Sequence, residues 1–172
     1  MDYQQLLLAL LPDLLVVVAL FAALGVDYSR LRGSRLAKRY QMACRISAAG
    51  LIAGLAVLML QIAGTMTVME STADGQLVLT RGTLTLKALL YAMGLGVLPL
   101  AKRDQVTPQV SEYFALLLLA TLGMGFVVSS RNLLGAFVAL ELVSLSLYAM
   151  TVLNQAKRAS AEAALKYLTF GA

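Results

Sequence analysis

Apolar residues in this chain do not alternate with polar ones. They run in long blocks broken by short polar stretches. The blocks cover about Gln5 to Val26, Tyr40 to Gly64, Thr83 to Ala101, Glu112 to Ser130 and Leu133 to Leu153. A sixth begins near Ser160 and reaches Ala172. Periodicity cannot tell helix from strand in runs this apolar, but length can. Crossing a bilayer as a helix takes roughly 20 mostly apolar residues, and each of the first five blocks supplies that. The first block lacks a basic start and a small-residue cleavage site, which argues against a cleaved signal peptide. The pattern predicts an all-α integral membrane protein, a multi-pass bundle of five complete transmembrane helices and the start of a sixth. The last block stops about a dozen residues in, where a helix would leave carbonyls unpaired in hydrocarbon. The natural chain is therefore expected to continue past Ala172.

Composition strengthens this picture. Of 172 residues, 60% are hydrophobic and 13% charged, and the mean hydropathy is +0.81. Soluble domains carry about 25% charged residues. Histidine is absent and Cys44 is the single cysteine, which excludes histidine chemistry, an internal disulfide and a multi-cysteine metal site. The net charge of +5 does not signal nucleic acid, because the basic residues sit in short loops between apolar blocks. Arg30, Arg32, Arg35, Lys38, Arg39, Lys102, Arg103, Lys157 and Arg158 fall on one side, against Arg81 and Arg131 on the other. By the positive-inside rule the N-terminus is expected outside, with the odd-numbered loops in the cytoplasm.

A few charges fall inside the apolar blocks. Glu141 lies among Leu, Val, Ala, Ser and Phe, roughly 13 Å into the fifth segment and so near the bilayer midplane. An intramembrane acid is costly and by default functional. Its bland alternative is a protonated carboxyl, or one bonded to Ser144 three positions on. Lys166 enters the sixth segment from the cytoplasmic side and is the natural counter-ion, unless it snorkels to the surface. Glu162, four residues before Lys166, suits both an ion pair on that helix and its N-terminal dipole. Lys87, about four residues into the third segment, is expected to snorkel outward. Asp13 follows Pro12 with no mid-segment cation in sight, so a kinked helix with a hydrated acid is expected there. Arg45 can snorkel toward the cytoplasm, and Cys44 reads as a small buried apolar residue. Gly50 and Gly54, Gly94 and Gly96, and Gly123 and Gly125 could permit close helix contact, although such spacings are common by chance in apolar runs.

Residues 111–172 carry a family resemblance. The LELVSLSLY block around Glu141 and the SAEAALKYLTFGA block around Lys166, with 25 positions between the two residues, resemble the N-type antiporter-like membrane subunit of NADH-quinone oxidoreductase, respiratory complex I. The opening ALLPDLLVVVALF is also similar to that family's first helix, whereas residues 27–110 match mainly in hydropathy. The resemblance implies a fold of fourteen transmembrane helices with two inverted five-helix repeats and an external N-terminus. It divides this chain into residues 1–110, three N-terminal helices, and residues 111–172, the start of the first repeat. It implies proton translocation, with Glu141 as the helix-five acid, Lys166 as the helix-six lysine and Glu162 as the acid before it. The implied partners are other membrane subunits, the lipid bilayer and protons. The implied location is the inner (plasma) membrane. NADH, flavin, iron–sulfur and quinone sites belong to other subunits of such a complex, so no cofactor is expected in this chain.

Three other readings compete. Homologous subunits serve in cation/proton antiporters and membrane-bound hydrogenases. Small multidrug exporters also use one intramembrane Glu, but in the first of four helices rather than the fifth. A structural membrane subunit without transport is the remaining alternative.

Overall fold

In the computed structural model of the chain, residues 3–28, 35–64, 71–72, 77–104, 107–153, 166 and 169 are described. Five helices dominate: α1 (Tyr3–Val26), α2 (Leu36–Ile62), α3 (Arg81–Asp104), α4 (Val110–Ser129) and α5 (Leu133–Val152). All five contain stretches long and apolar enough to cross a membrane. The all-α membrane bundle expected from the sequence is thus present. One small addition is a two-residue antiparallel ladder, β1 (Ser71–Thr72) with β2 (Leu77–Val78), between α2 and α3. The second segment starts earlier than hydropathy suggested. Leu36 to Arg39 are already helical, because a helix can carry a charged first turn beyond the hydrocarbon.

Successive helices run in opposite directions, so alternate connections meet at common ends. At one end Leu77 bridges Ser130, bringing the hairpin beside the α4–α5 connection. At the other, Tyr40 Oη donates to the Thr107 carbonyl at 2.8 Å and accepts from the Thr107 N–H at 3.0 Å. Thr107 Oγ1 also donates to the Leu153 carbonyl at 3.0 Å. Arg35, Arg39, Lys102 and Arg103 share this second, basic end, as the alternation of loop charges requires.

The α4 helix is the axis of the assembly, touching α1, α2, α3 and α5. In its apolar span 61% of residues are buried, against 11% for α5, which leaves most of α5 uncovered. The core centres on Tyr40, Leu51, Leu58, Tyr91, Leu98, Phe114 and Leu118, each at or below 1% exposure. Close approach depends on glycine where hydropathy could not say so. A Cβ on Gly50 would collide with that of Ala19, and one on Gly54 would sit 2.9 Å from the Tyr91 ring. Gly96 meets nothing within 4 Å and has no such role.

Side chains supply extra partners to several backbone carbonyls inside the bundle, where hydrocarbon offers none. Pro12 has no N–H to offer the Leu8 carbonyl one turn earlier. Gln61 of α2 supplies the missing donor, its Nε2 lying 2.7 Å from that oxygen. Thr121, Ser129 and Ser146 turn their hydroxyls back onto the carbonyls of Leu117, Gly125 and Leu142. Asn132 caps α5 by accepting from the Leu134 N–H at 2.8 Å, a contact typical of helix N-termini. Gly64, at φ +77°, follows the last residues of α2 in the left-handed conformation that glycine adopts without strain.

Candidate functional site: intramembrane charges

Glu141 projects from the uncovered face of α5. Eight residues separate it from Leu133, placing it about 12 Å below the hairpin end of the helix. Its surroundings are apolar. It lines a groove of about 650 Å³ with Leu77, Phe126, Ser130, Phe137, Val138 and Leu145. Glu141 is the groove's single ionisable side chain among the described residues. Among the described residues no ion pair joins Glu141, and no hydrogen bond links it to Ser144. The α5 backbone is held by α4, where a Cβ on Gly123 would lie 2.7 Å from Val143 Cγ2. That contact fixes the height of Glu141 against the rest of the bundle.

Lys166 is helical and exposed, and Thr169 Oγ1 donates to its carbonyl at 3.0 Å. Glu162 lies outside the described residues.

A second set of charges departs from the sequence expectation. Lys87 does not snorkel. It is 2% exposed, and its Nζ donates to Asp13 Oδ2 at 2.6 Å. Asp13 likewise is not a lone hydrated acid at a kink. Its other oxygen, Oδ1, accepts from the Tyr91 hydroxyl at 2.6 Å. Asp13 and Tyr91 are 3% and 0% exposed. Lys87 Nζ lies 5.4 Å from the centre of the Phe126 ring, within cation–π range. Gly125 leaves room for the lysine stem, since a Cβ there would be 3.1 Å from Lys87 Cε. Snorkelling fails because Asp13 holds the ammonium inside the bundle and removing one partner of a buried pair costs about 3–5 kcal/mol. The sequence did hold a signal. Asp13 and Lys87 enter from the same side and lie at similar depth, but their helices are not consecutive and their adjacency is a property of the bundle.

The basic end holds another pair. Arg39 Nε donates to Asp27 Oδ1 at 2.7 Å, and its Nη2 to Oδ2. Hydrogen bonding from this guanidinium, opposed by partial burial, holds the Asp27 carboxyl below its ordinary range.

Sequence comparison adds to this geometry. No protein-family model matches the chain. Curated proteins do. NADH-quinone oxidoreductase subunit N 2 of Acidobacterium capsulatum is 40% identical over 99% of this chain and 35% of its own length. By sequence, nearly the whole chain is homologous to part of subunit N proteins. Subunit N of Laribacter hongkongensis is 31% identical over 96% of the chain and 33% of its own length. NAD(P)H-quinone oxidoreductase subunit 2 of Prochlorococcus marinus is 32% identical over 95% and 30%. The chain thus spans about a third of the length of these relatives. The relatives are of the family expected from the Glu141 and Lys166 blocks, and the similarity extends through residues 27–110, where the resemblance is mainly one of hydropathy.

Proposed function

We propose that this chain forms part of the proton-translocating membrane arm of an NADH-quinone oxidoreductase. Glu141 carries the proposal: a carboxylate at mid-depth on an apolar helix, facing a groove instead of a buried partner. At that depth in a bilayer a charge is costly and depends on what lies near it, and the open groove gives the carboxyl a route for proton exchange. Lys166 is its cationic partner from the next helix, and Glu162 holds or hands on a proton beside Lys166. Bringing the ammonium toward Glu141 favours the carboxylate and expels a proton; withdrawing it favours the acid and takes one up. Residues 111–172 supply this element and residues 1–110 brace it. Oxidation of NADH and reduction of quinone occur in other subunits, and this chain holds no cofactor. Its N-terminus faces outside the plasma membrane and its basic end the cytoplasm. The identity of the relatives favours this host over an antiporter or hydrogenase complex.

The test is proton uptake driven by NADH oxidation in membrane vesicles, with assembly of the complex checked in parallel. Glu141→Gln keeps the shape and removes the charge, so assembly survives and uptake falls. Glu141→Asp retains part of the uptake. Lys166→Ala weakens uptake less than Glu141→Gln does. A Glu141→Gln complex that assembles and pumps at the wild-type rate reduces the acid to a structural group.

A further inference from the structure

Asp13, Lys87 and Tyr91 form a closed cluster that the Glu141 and Lys166 scheme does not use. Three observations separate it from a simple tie between helices. Its depth matches that of Glu141. Lys87 is six residues below the start of α3, Asp13 seven below the apolar start of α1 and Glu141 eight below the start of α5, so all three sit about 9–12 Å from the hairpin end. Its ammonium is only partly satisfied. Of three N–H donors on Lys87, one meets an oxygen, Asp13 Oδ2, and no other acceptor is found among the described residues. Its neighbour is shared, because the Phe126 ring beside Lys87 Nζ also lines the Glu141 groove. One aromatic ring thus borders both charge sites. A helix tie alone needs no ions, since a well-packed apolar pair serves as well or better.

We propose that Asp13, Lys87 and Tyr91 form a second protonatable site, coupled to Glu141 by movement of the Lys87 ammonium past Phe126. The inference rests on the reading of Glu141 as a proton carrier. A proton from water forms an O–H bond at Asp13 Oδ2, and the pair passes from net zero to net positive charge. Lys87 keeps its three N–H bonds but loses its anionic partner. Its flexible stem, given space by Gly125, carries the charge toward the groove. There it favours the Glu141 carboxylate, whose O–H bond breaks and whose proton leaves to groove water. One proton enters at Asp13 and one departs from Glu141. Tyr91, bonded to Oδ1, keeps Oδ2 turned to the lysine. Lys87 acts here as a positioning residue. The titratable groups bonded to or beside it are Asp13 from α1 and Tyr91 on its own helix, while Glu141 of α5 lines the groove that Phe126 also borders. From α4 it meets Gly125 and Phe126, neither of which titrates.

The test uses the assembled complex in membrane vesicles and reads protons taken up per NADH oxidised. The double variant Asp13→Asn/Lys87→Met removes both charges and strands neither. It is expected to assemble and to pump several-fold less than wild type. Adding the same double change to Glu141→Gln is expected to cause no further loss, because Lys87 acts through Glu141. Wild-type pumping by the double variant, beside impaired Glu141→Gln, overturns this proposal and leaves the Glu141 reading standing. Independent, multiplying losses overturn the coupling. Normal pumping by Glu141→Gln overturns both readings. Should the double variant fail to assemble, Phe126→Trp keeps both charged groups in place yet obstructs the route. A several-fold loss supports the proposal, and wild-type pumping refutes it.

Discussion

Replacing Gly123 by alanine tests whether α4 sets the position of Glu141. The new Cβ would lie 2.7 Å from Val143 Cγ2 and 3.3 Å from both the Ala139 oxygen and the Val143 nitrogen. Carbon atoms pack best at about 3.5–4.0 Å, so the methyl needs roughly 1 Å more than the structure provides. Val143 cannot supply it alone. A helical valine holds one χ1 rotamer about 90% of the time, and the other two contacts are backbone. The α5 helix must therefore shift as a body. Overpacking of this kind costs about 1–3 kcal/mol, and the shift moves Glu141 with it. Gly96→Ala is the control, because nothing lies within 4 Å of its added Cβ; it is expected to be neutral or to stabilise by about 0.5–1 kcal/mol. The assay compares the amount of assembled complex, its thermal inactivation and NADH-driven proton uptake. Gly123→Ala is expected to lower all three, and Val143→Ala in the same chain to recover much of the loss. Equal behaviour of Gly123→Ala and Gly96→Ala would refute the claim that this contact sets the height of α5.

Tyr40→Phe strips the carbonyl and the N–H of Thr107 of a buried partner, and is expected to destabilise the basic end by about 1–3 kcal/mol, read as earlier thermal inactivation and faster proteolysis at the α3–α4 connection. The Asp27–Arg39 pair predicts a pH dependence. Because the folded carboxyl titrates below its ordinary value of 3.8, its contribution is complete above that value and disappears as pH falls through the lowered one. Asp27→Asn should abolish that part of the acid sensitivity, and a stability–pH profile identical to wild type would contradict the assignment. Single cysteines at positions 35 and 74 should be labelled from the cytoplasmic and external sides respectively; the reverse pattern overturns the orientation.

The helices were legible in the sequence because hydrocarbon makes one demand on every residue of a span. About twenty apolar residues in a row satisfy it regardless of neighbours, so five spans and the alternation of loop charge could be read locally. The Glu141 and Lys166 blocks likewise carried the family in a short stretch of chain. Charge pairing was different in kind. Asp13 and Lys87 are 74 positions apart on non-consecutive helices, and nothing in either segment records that they face each other. Lys87 read alone has a route to the surface; Lys87 beside a buried carboxylate has a better one inward. Gln61 shows the same division. Its amide is unremarkable in sequence, and only the packing of α2 on α1 reveals that it replaces the donor Pro12 lacks. Gly123 and Gly96 are indistinguishable as letters, yet one lies under Val143 and the other meets open space. Local chemistry determined which segments enter the bilayer. Tertiary packing decided which polar groups meet there, because an uncompensated charge in a low-dielectric interior accepts whatever partner the neighbouring helix supplies.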